Sequence, residues 1–418
     1  MALWHSVIEH LSLKRSPNRT PLFFLSAMLL FWTLYEGMIS YLTPIAVEHA
    51  GYSKSMIGVI LGSSSIAGAV FDVIACRVFR TSTFRRMFLI VFVLCLSYPI
   101  ILFQANTFVW FLLAMGVWGI YYDLKDISNL DFVARFTQKH DHAGSFGILG
   151  SFQAAGFLLG PLIAGIFLAQ AYDFQPFAMA LIFLSIAFVF FLALLFVTRK
   201  QMKMVHVTPI KRIGFSAELV LWSRLGRVLF PILFFGMFLN VIDAFFWTIG
   251  PLIAESFSHI KTFSGLFMTA YSLPSLLIGW WVGSITKVFG KKRTAFLSLL
   301  VGSAILIPMA FLSSPVMTIG LVFIASFFIS LSWPSIAGAV ADYVSEADGY
   351  AREIETLSDY ASNLGYIVGP ILAGFVADRF SNTGAFFFLG VLGVLVSLAL
   401  FVLVKQKINV LKQLPRVS

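Results

Sequence analysis
The chain is poor in charge, in acid and in cysteine, and each shortage excludes something. Only 11% of its 418 residues are charged, with 19 Asp and Glu against 29 Lys and Arg. Soluble domains keep about 25% of their residues charged, so this composition cannot cover a soluble surface. The two cysteines, Cys76 and Cys95, lie in or beside apolar segments and do not make a disulfide framework. There is no Walker loop, no His/Cys metal cluster and no nucleophile elbow. His140 and His142 flank Asp141 in a basic loop, which reads as solvated rather than metal-binding. No enzyme activity, cofactor or metal is expected.

What is abundant is apolar length. Hydrophobic residues make up 59% of the chain and mean hydropathy is +0.91. The charges fall in short clusters between apolar blocks of about 20 residues, the length of a membrane-spanning helix. Runs such as LIFLSIAFVFFLALLFV exclude a spanning β-barrel, whose short strands alternate. Twelve blocks stand out, centred near residues 34, 65, 95, 117, 157, 187, 242, 274, 303, 327, 365 and 393. The expected fold is an all-α polytopic membrane protein of twelve transmembrane helices.

The expected organisation is an N-terminal interfacial segment, 1–20, a six-helix half, 21–198, a basic linker, 199–228, a second six-helix half, 229–404, and a tail, 405–418. Leu3, Trp4, Val7, Ile8 and Leu11 recur at helical spacing, which suits a helix lying on the bilayer. The first apolar stretch is too long for a signal peptide and is read as a retained span. The net charge of +10 is read through its placement, not as a nucleic-acid footprint. Lys and Arg gather at the termini, the linker and one set of loops, while Lys54, Lys261 and Arg379 stand alone on the other side. The positive-inside rule then places both termini in the cytoplasm, and an even span count demands the same. A plasma (inner) membrane location is expected.

The chain also repeats itself. GFLLGPLIAG, Gly156 to Gly165, returns as GYIVGPILAG, Gly365 to Gly374, half a chain later. TPIAVE around Pro44 answers GPLIAE around Pro251, and at that offset Gly58 matches Gly265, Glu36 matches Asp243, and Arg85-Arg86 match Lys292-Arg293. The two six-helix halves are pseudo-symmetric, a plan that recurs in secondary transporters.

On these residues the chain resembles the major facilitator superfamily over essentially its whole length. Gly147, Gly156, Gly160, Pro161 and Gly165 fit that family's antiporter motif in the fifth span, and the eleventh keeps Gly365, Gly369, Pro370 and Gly374. Such glycines let helix backbones approach, and the proline permits a bend. The family's loop motif is degraded here: Arg80 and Lys287 stand where it has an acid. A substitute cytoplasmic gate is expected between Arg77, Arg80 or Lys287 and an acidic loop after the tenth span, which carries Asp342, Glu346, Asp348, Glu353 and Glu355. The arginine of the multidrug branch is replaced by Met115, so its relay role does not transfer.

Intramembrane acids are functional candidates because a lone charge costs about 2.5–3.5 kcal/mol at the bilayer centre. Glu36 and Asp243 lie near the midplane of the first and seventh spans, which the resemblance places on the cavity, and Glu36 is the leading candidate for proton coupling. An acid buried with no cation beside it can load and release a proton as access alternates. Asp72 is a further candidate, and so are Asp123 and Asp126, which share a face of the fourth span while Lys125 points elsewhere. Trp32, Tyr35, Trp118, Tyr121, Gln153, Asn240, Trp247 and Trp333 join the two central acids as candidate substrate lining, able to stack on planar cations or sugars.

The expected function is a monomeric secondary transporter in the bilayer, moving a small organic solute by alternating access. A proton-driven antiporter exporting a lipophilic or cationic compound leads. A proton-coupled symporter importing a sugar or other metabolite fits the same groups, and a non-transporting receptor is a third reading.

Overall fold
The computed structural model describes residues 19–78, 83–136, 142–168, 173–199, 215–257, 265–278, 281–312, 314–346 and 350–403. The regular elements among them are helices. The first half runs Arg19–His49, Lys54–Val78, Phe84–Gln104, Phe108–Phe136, His142–Leu168 and Gln175–Thr198. The second runs Phe215–Ser256, an eighth span in two pieces (Leu266–Ile278 and Val282–Phe289), Lys291–Leu306 with a closing turn Ile307–Phe311, Pro315–Glu346, Ala351–Phe380 and Asn382–Leu403. Among the described residues ten helices are long and apolar enough to cross a membrane, eleven with the eighth-span pieces taken together. The remaining long helix, Phe108–Phe136, carries Asp123, Lys125, Asp126, Asp131 and Arg135, and pairing inside the bundle accommodates that charge. The protein is an all-α polytopic membrane protein.

Two boundaries differ from the sequence reading. The seventh helix begins at Phe215, inside the stretch read as linker, because the amphipathic FSAELVLWSRL runs without a break into the apolar span. The tenth helix continues to Glu346 and the eleventh begins at Ala351, so Asp342, Glu353 and Glu355 are helical rather than members of an acidic loop. The N-terminal segment through residue 18, the stretch 200–214 and the tail from residue 404 lie outside the described residues.

Motif glycines seat the helices of each half. A Cβ at Gly156 would lie 2.7 Å from the Leu34 nitrogen, and one at Gly160 2.8 Å from both the Leu34 oxygen and the Met38 nitrogen. The fifth span therefore lies backbone to backbone on the first. In the second half a Cβ at Gly365 would lie 2.5 Å from the Met237 oxygen and 2.7 Å from Asn240 Cβ, and one at Gly369 2.6 Å from Ala244 Cβ, so the eleventh span lies on the seventh in the same way. Gly156 also meets Thr33, which holds the place in its half that Asn240 holds in the other. The repeat in sequence is a repeat in contact. Gly147, the upstream member of the antiporter motif, does not share this role: it is exposed, and a Cβ there would meet nothing within 4 Å.

The halves join at the distal end of the bundle, where the first helix ends and the second begins. Gly58 of the second span lies against the Pro370 carbonyl of the eleventh, too close for any side chain, and Gly265 of the eighth lies against the Pro161 carbonyl of the fifth. Each Gly-Pro phrase thus receives a glycine from the opposite half. Asp378 accepts from the backbone nitrogens of Lys54 at 3.0 Å and Ser55 at 2.8 Å, and from Ser55 Oγ at 2.5 Å, satisfying orphan donors at the start of the second helix. His49 and Glu255 meet at 2.7 Å across the ends of the first and seventh spans.

Gly160→Val tests the intra-half seat. It should lower thermal stability in detergent by several degrees, the reading of an overpacking cost of about 1–3 kcal/mol, while Gly147→Ala should leave the melting temperature unchanged.

Candidate functional site
The first-half charge centre is an ion pair. Glu36 is 0% exposed and Lys125 is 1% exposed, and Lys125 Nζ donates to both Glu36 oxygens, at 2.6 and 2.7 Å. The Lys125 ammonium also lies 4.4 Å from the centre of the Tyr122 ring. The expectation that Glu36 is buried without a cation is corrected: the fourth span supplies one. A lysine inside a span needs an acid to be tolerable, and the nearest intramembrane acid on a facing helix meets that need.

The aromatics around this pair are packed rather than open. Trp32 sits 4.3 Å from Phe92 between ring centres, Tyr35 donates to the Cys95 carbonyl at 2.7 Å, and Tyr121 packs against Tyr98 and Trp118. Trp32, Tyr35 and Tyr121 are each 0% exposed, so the reading of them as substrate lining is corrected: they form the core of the first half. Trp118 is half-buried on the same cluster.

The second half presents a different acid. Asp243 accepts one hydrogen bond from the Tyr271 hydroxyl at Oδ1 and one from the Tyr366 hydroxyl, 2.7 Å away, at Oδ2. Trp247, one turn on, stands beside it. These partners come from the seventh, eighth and eleventh spans, and none of them is a cation. Tyr122, 39% exposed, lies within electrostatic reach of Asp243 from the fourth span, and Asp126 beside it is exposed. Trp247 in turn meets Phe157 of the fifth span at 6.0 Å. Tyr122 and Asp126 of the first half therefore lie near Asp243, Trp247 and Tyr366 of the second.

Other candidates fall elsewhere. Asp123 places its carboxylate against Gly68 of the second span, and Asp126 is exposed. Asn240 donates to the Gly236 carbonyl at 2.8 Å in its own helix and is 4% exposed, so its amide is engaged in packing, not lining. Gln153 and Trp333 are half-buried, with Trp333 packed on the core. The side chains of Asp72, Arg77 and Glu346, and all of Arg80 and Asp348, lie outside the described residues; Lys287 is exposed and Glu353 half-buried. The terminal-side acid Asp342 pairs at 2.6 Å with Lys291 of its own half. Among the described residues no group of three or more His, Cys, Asp or Glu is placed to hold a metal.

Sequence reasoning passed over Lys125 as a partner, and it passed over Tyr271, Tyr366, Asp378 and His49. The lysine carried a usable signal in its cost of burial. The tyrosines carried none, because nothing local separates a hydroxyl that reaches an acid on another helix from one that does not.

A doubled six-helix bundle with charge at its midplane, sealed at one end, is the architecture of a secondary transporter. The Major Facilitator Superfamily model matches residues 25–245 and 232–416, and the chain belongs to that family. The chain is 24% identical over 292 residues to the multi-drug resistance efflux pump PmrA homolog of Lactococcus lactis subsp. lactis, covering 67% of this chain and 69% of that one. It is 24% identical over 252 residues to multidrug resistance protein MdtG of Proteus mirabilis, covering 58% of this chain and 60% of that one. The solved nucleoside transporter NupG shares the fold, with a TM-score of 0.72 at 14% identity over 93% of this chain and 99% of that one.

Lys125→Met leaves the Glu36 carboxylate buried alone and should destabilise the protein by about 3–5 kcal/mol, whereas Lys125→Met with Glu36→Met should recover most of that loss. Thermal melts of the two singles and the double, in one detergent, measure the cycle.

Proposed function
We propose that this transporter is a proton-coupled antiporter that exports a lipophilic or cationic organic compound. The observation that carries the reading is Asp243: a partly exposed carboxylate near the first half's Tyr122, bound by two tyrosine hydroxyls rather than by a cation. Such a group can be neutralised by a proton or by an organic cation, and one excludes the other. That exclusion is the exchange an antiporter needs. Glu36, held by Lys125, is already neutral as a pair, so the charge the cavity offers is set by Asp243 and Asp126.

The rest of the site agrees with this chemistry. Tyr122 and Trp247 offer ring faces beside the acids, suited to a planar or lipophilic cation. The relatives' names, an efflux pump and a multidrug resistance protein, favour export over import. The bias of Lys and Arg supports cytoplasmic termini and an outward-facing distal end, and we take the membrane to be the plasma membrane. In that orientation the contacts that join the halves lie on the outer side, an arrangement that suits collection of an internal solute. Both halves lie in one chain, so a monomer completes the cavity, and the proton gradient supplies the energy.

The test is a library of organic cations and neutral solutes assayed in proteoliposomes under an imposed pH gradient. Solute should move against the direction of proton flow, and Asp243→Asn should reduce proton-linked flux by about tenfold or more. Solute moving with protons would replace antiport with symport, and an unchanged pH dependence in Asp243→Asn would remove Asp243 from coupling.

A further inference from the structure
The two oxygens of Asp243 are bound from two different helices, and both of those helices take part in the distal seal. Tyr271 stands six residues beyond Gly265 in the eighth span, roughly 9 Å along the helix, and Gly265 lies on Pro161 of the first half. Thr269, between them, donates to the Leu158 carbonyl at 3.4 Å. Tyr366 stands four residues before Pro370 in the eleventh span, roughly 6 Å away, and Pro370 receives Gly58. Farther along that helix Asp378 holds the start of the second span. The Tyr271 ring is itself fixed, stacked on Phe246 at 3.9 Å and 13°.

We propose that Tyr271 and Tyr366 are the coupling residues of the transport cycle: by binding the two oxygens of the Asp243 carboxylate they hold the eighth and eleventh spans in the relation that seals the distal end, and neutralising that carboxylate releases them. The inference rests on the reading of Asp243 as the group that is loaded.

The chemistry is that of acceptor capacity. An ionised carboxylate accepts on both oxygens, and charge-assisted hydrogen bonds are roughly twice as strong as neutral ones. Once protonated it keeps one good acceptor oxygen, and its other oxygen becomes a donor. An organic cation seated on it competes for the same lone pairs. Protonation leaves the two tyrosines without a shared anion, and a seated cation weakens their hold by drawing the carboxylate's charge toward itself, so in each case the tie between the helices that carry them is loosened. The groups bearing on Asp243 are Tyr271 and Tyr366 from the eighth and eleventh spans, Trp247 on its own helix, and Tyr122 from the fourth. Behind Tyr122 stand Asp126 and Lys125, the latter committed to Glu36 of the first span. The matching acid in the first half, Glu36, is gripped by a fixed cation instead of by two hydroxyls, so the release operates on one half only.

The test places spin labels at Ala50→Cys and Arg379→Cys, exposed positions on opposite halves at the distal end, with Cys76→Ser and Cys95→Ala as background. Pulsed dipolar distances are recorded on the full chain at neutral and at acid pH. The unaltered site should show a short distance at neutral pH and lose that population by about twofold or more in acid. Asp243→Asn should show the reduced population at both values, with no response to pH. Tyr271→Phe and Tyr366→Phe keep the ring packing and remove only the hydroxyls, and each should lower the short-distance population at neutral pH, the pair together more than either. A short-distance population in Asp243→Asn that equals the unaltered site and responds to pH as it does would overturn the proposal, as would a double Tyr→Phe variant that behaves like the parent. An unaltered site whose distances ignore pH would overturn it too. These distances need no substrate, so a failure of antiport in proteoliposomes leaves the clamp decided by its own result.

Discussion
Everything else in this structure depends on helix backbones touching where side chains would prevent it. In a bilayer the lipid is as apolar as a leucine, so helices gain little by hiding apolar faces from it and associate by close packing and the bonds that packing permits. The Gly-Pro phrases supply that packing twice over. Inside each half, glycines at 156 and 160, or 365 and 369, seat one helix on another; at the next residue, Pro161 or Pro370 offers its carbonyl region to a glycine of the opposite half. One short phrase therefore serves both the permanent joint within a half and the breakable joint between halves. The two joints sit one residue apart on a helix whose proline lacks one backbone hydrogen bond and so permits a bend there.

The charges obey the same division. The Glu36–Lys125 pair is internal to the first half, fully buried and neutral as a unit, and it allows the charged fourth helix to lie in the bundle. Removing either partner strands the other, so the pair acts as a rivet between the first and fourth spans. Asp131 and Arg135, one turn apart on that helix, pair with each other at 2.8 Å and so offset two more of its charges. Asp243 belongs to a different category, since hydroxyls stabilise an anion without cancelling its charge. That leaves it able to respond to a proton or a cation arriving from the cavity.

The architecture was legible in the sequence because it rests on patterns that survive without coordinates. Apolar block length gives spans, their number and the spacing of the Gly-Pro phrases give halves, and the offset linking Pro44 to Pro251 also links Glu36 to Asp243 and Gly58 to Gly265, pairs that prove to hold equivalent places. The site was legible only to the level of its acids. Which acid carries a counter-ion depends on a contact between spans one and four, 89 residues apart, and no local pattern encodes it. The aromatics misled for a related reason: Trp32 and Tyr35 flank Glu36 along the helix, yet they pack on the third span at Phe92 and Cys95. Charge clusters near the boundaries misled through helix length, because Asp342 and Glu353 belong to helices that outrun their apolar cores.

A symmetric fold has to become asymmetric before it can couple two ligands, and here the break occurs at one matched pair of positions. Had Asp243 met a lysine as Glu36 does, both acids would be neutralised from within and the cavity would offer only Asp126 to an incoming charge. Had Glu36 met two tyrosines, two unpaired carboxylates would face each other across the midplane, and burying both would cost several kcal/mol with nothing bound. One riveted half and one responsive half avoids both outcomes. Under the proposed clamp the first half serves as the frame against which the eighth and eleventh spans close, and Gly58 and Gly265 lie where the two halves touch.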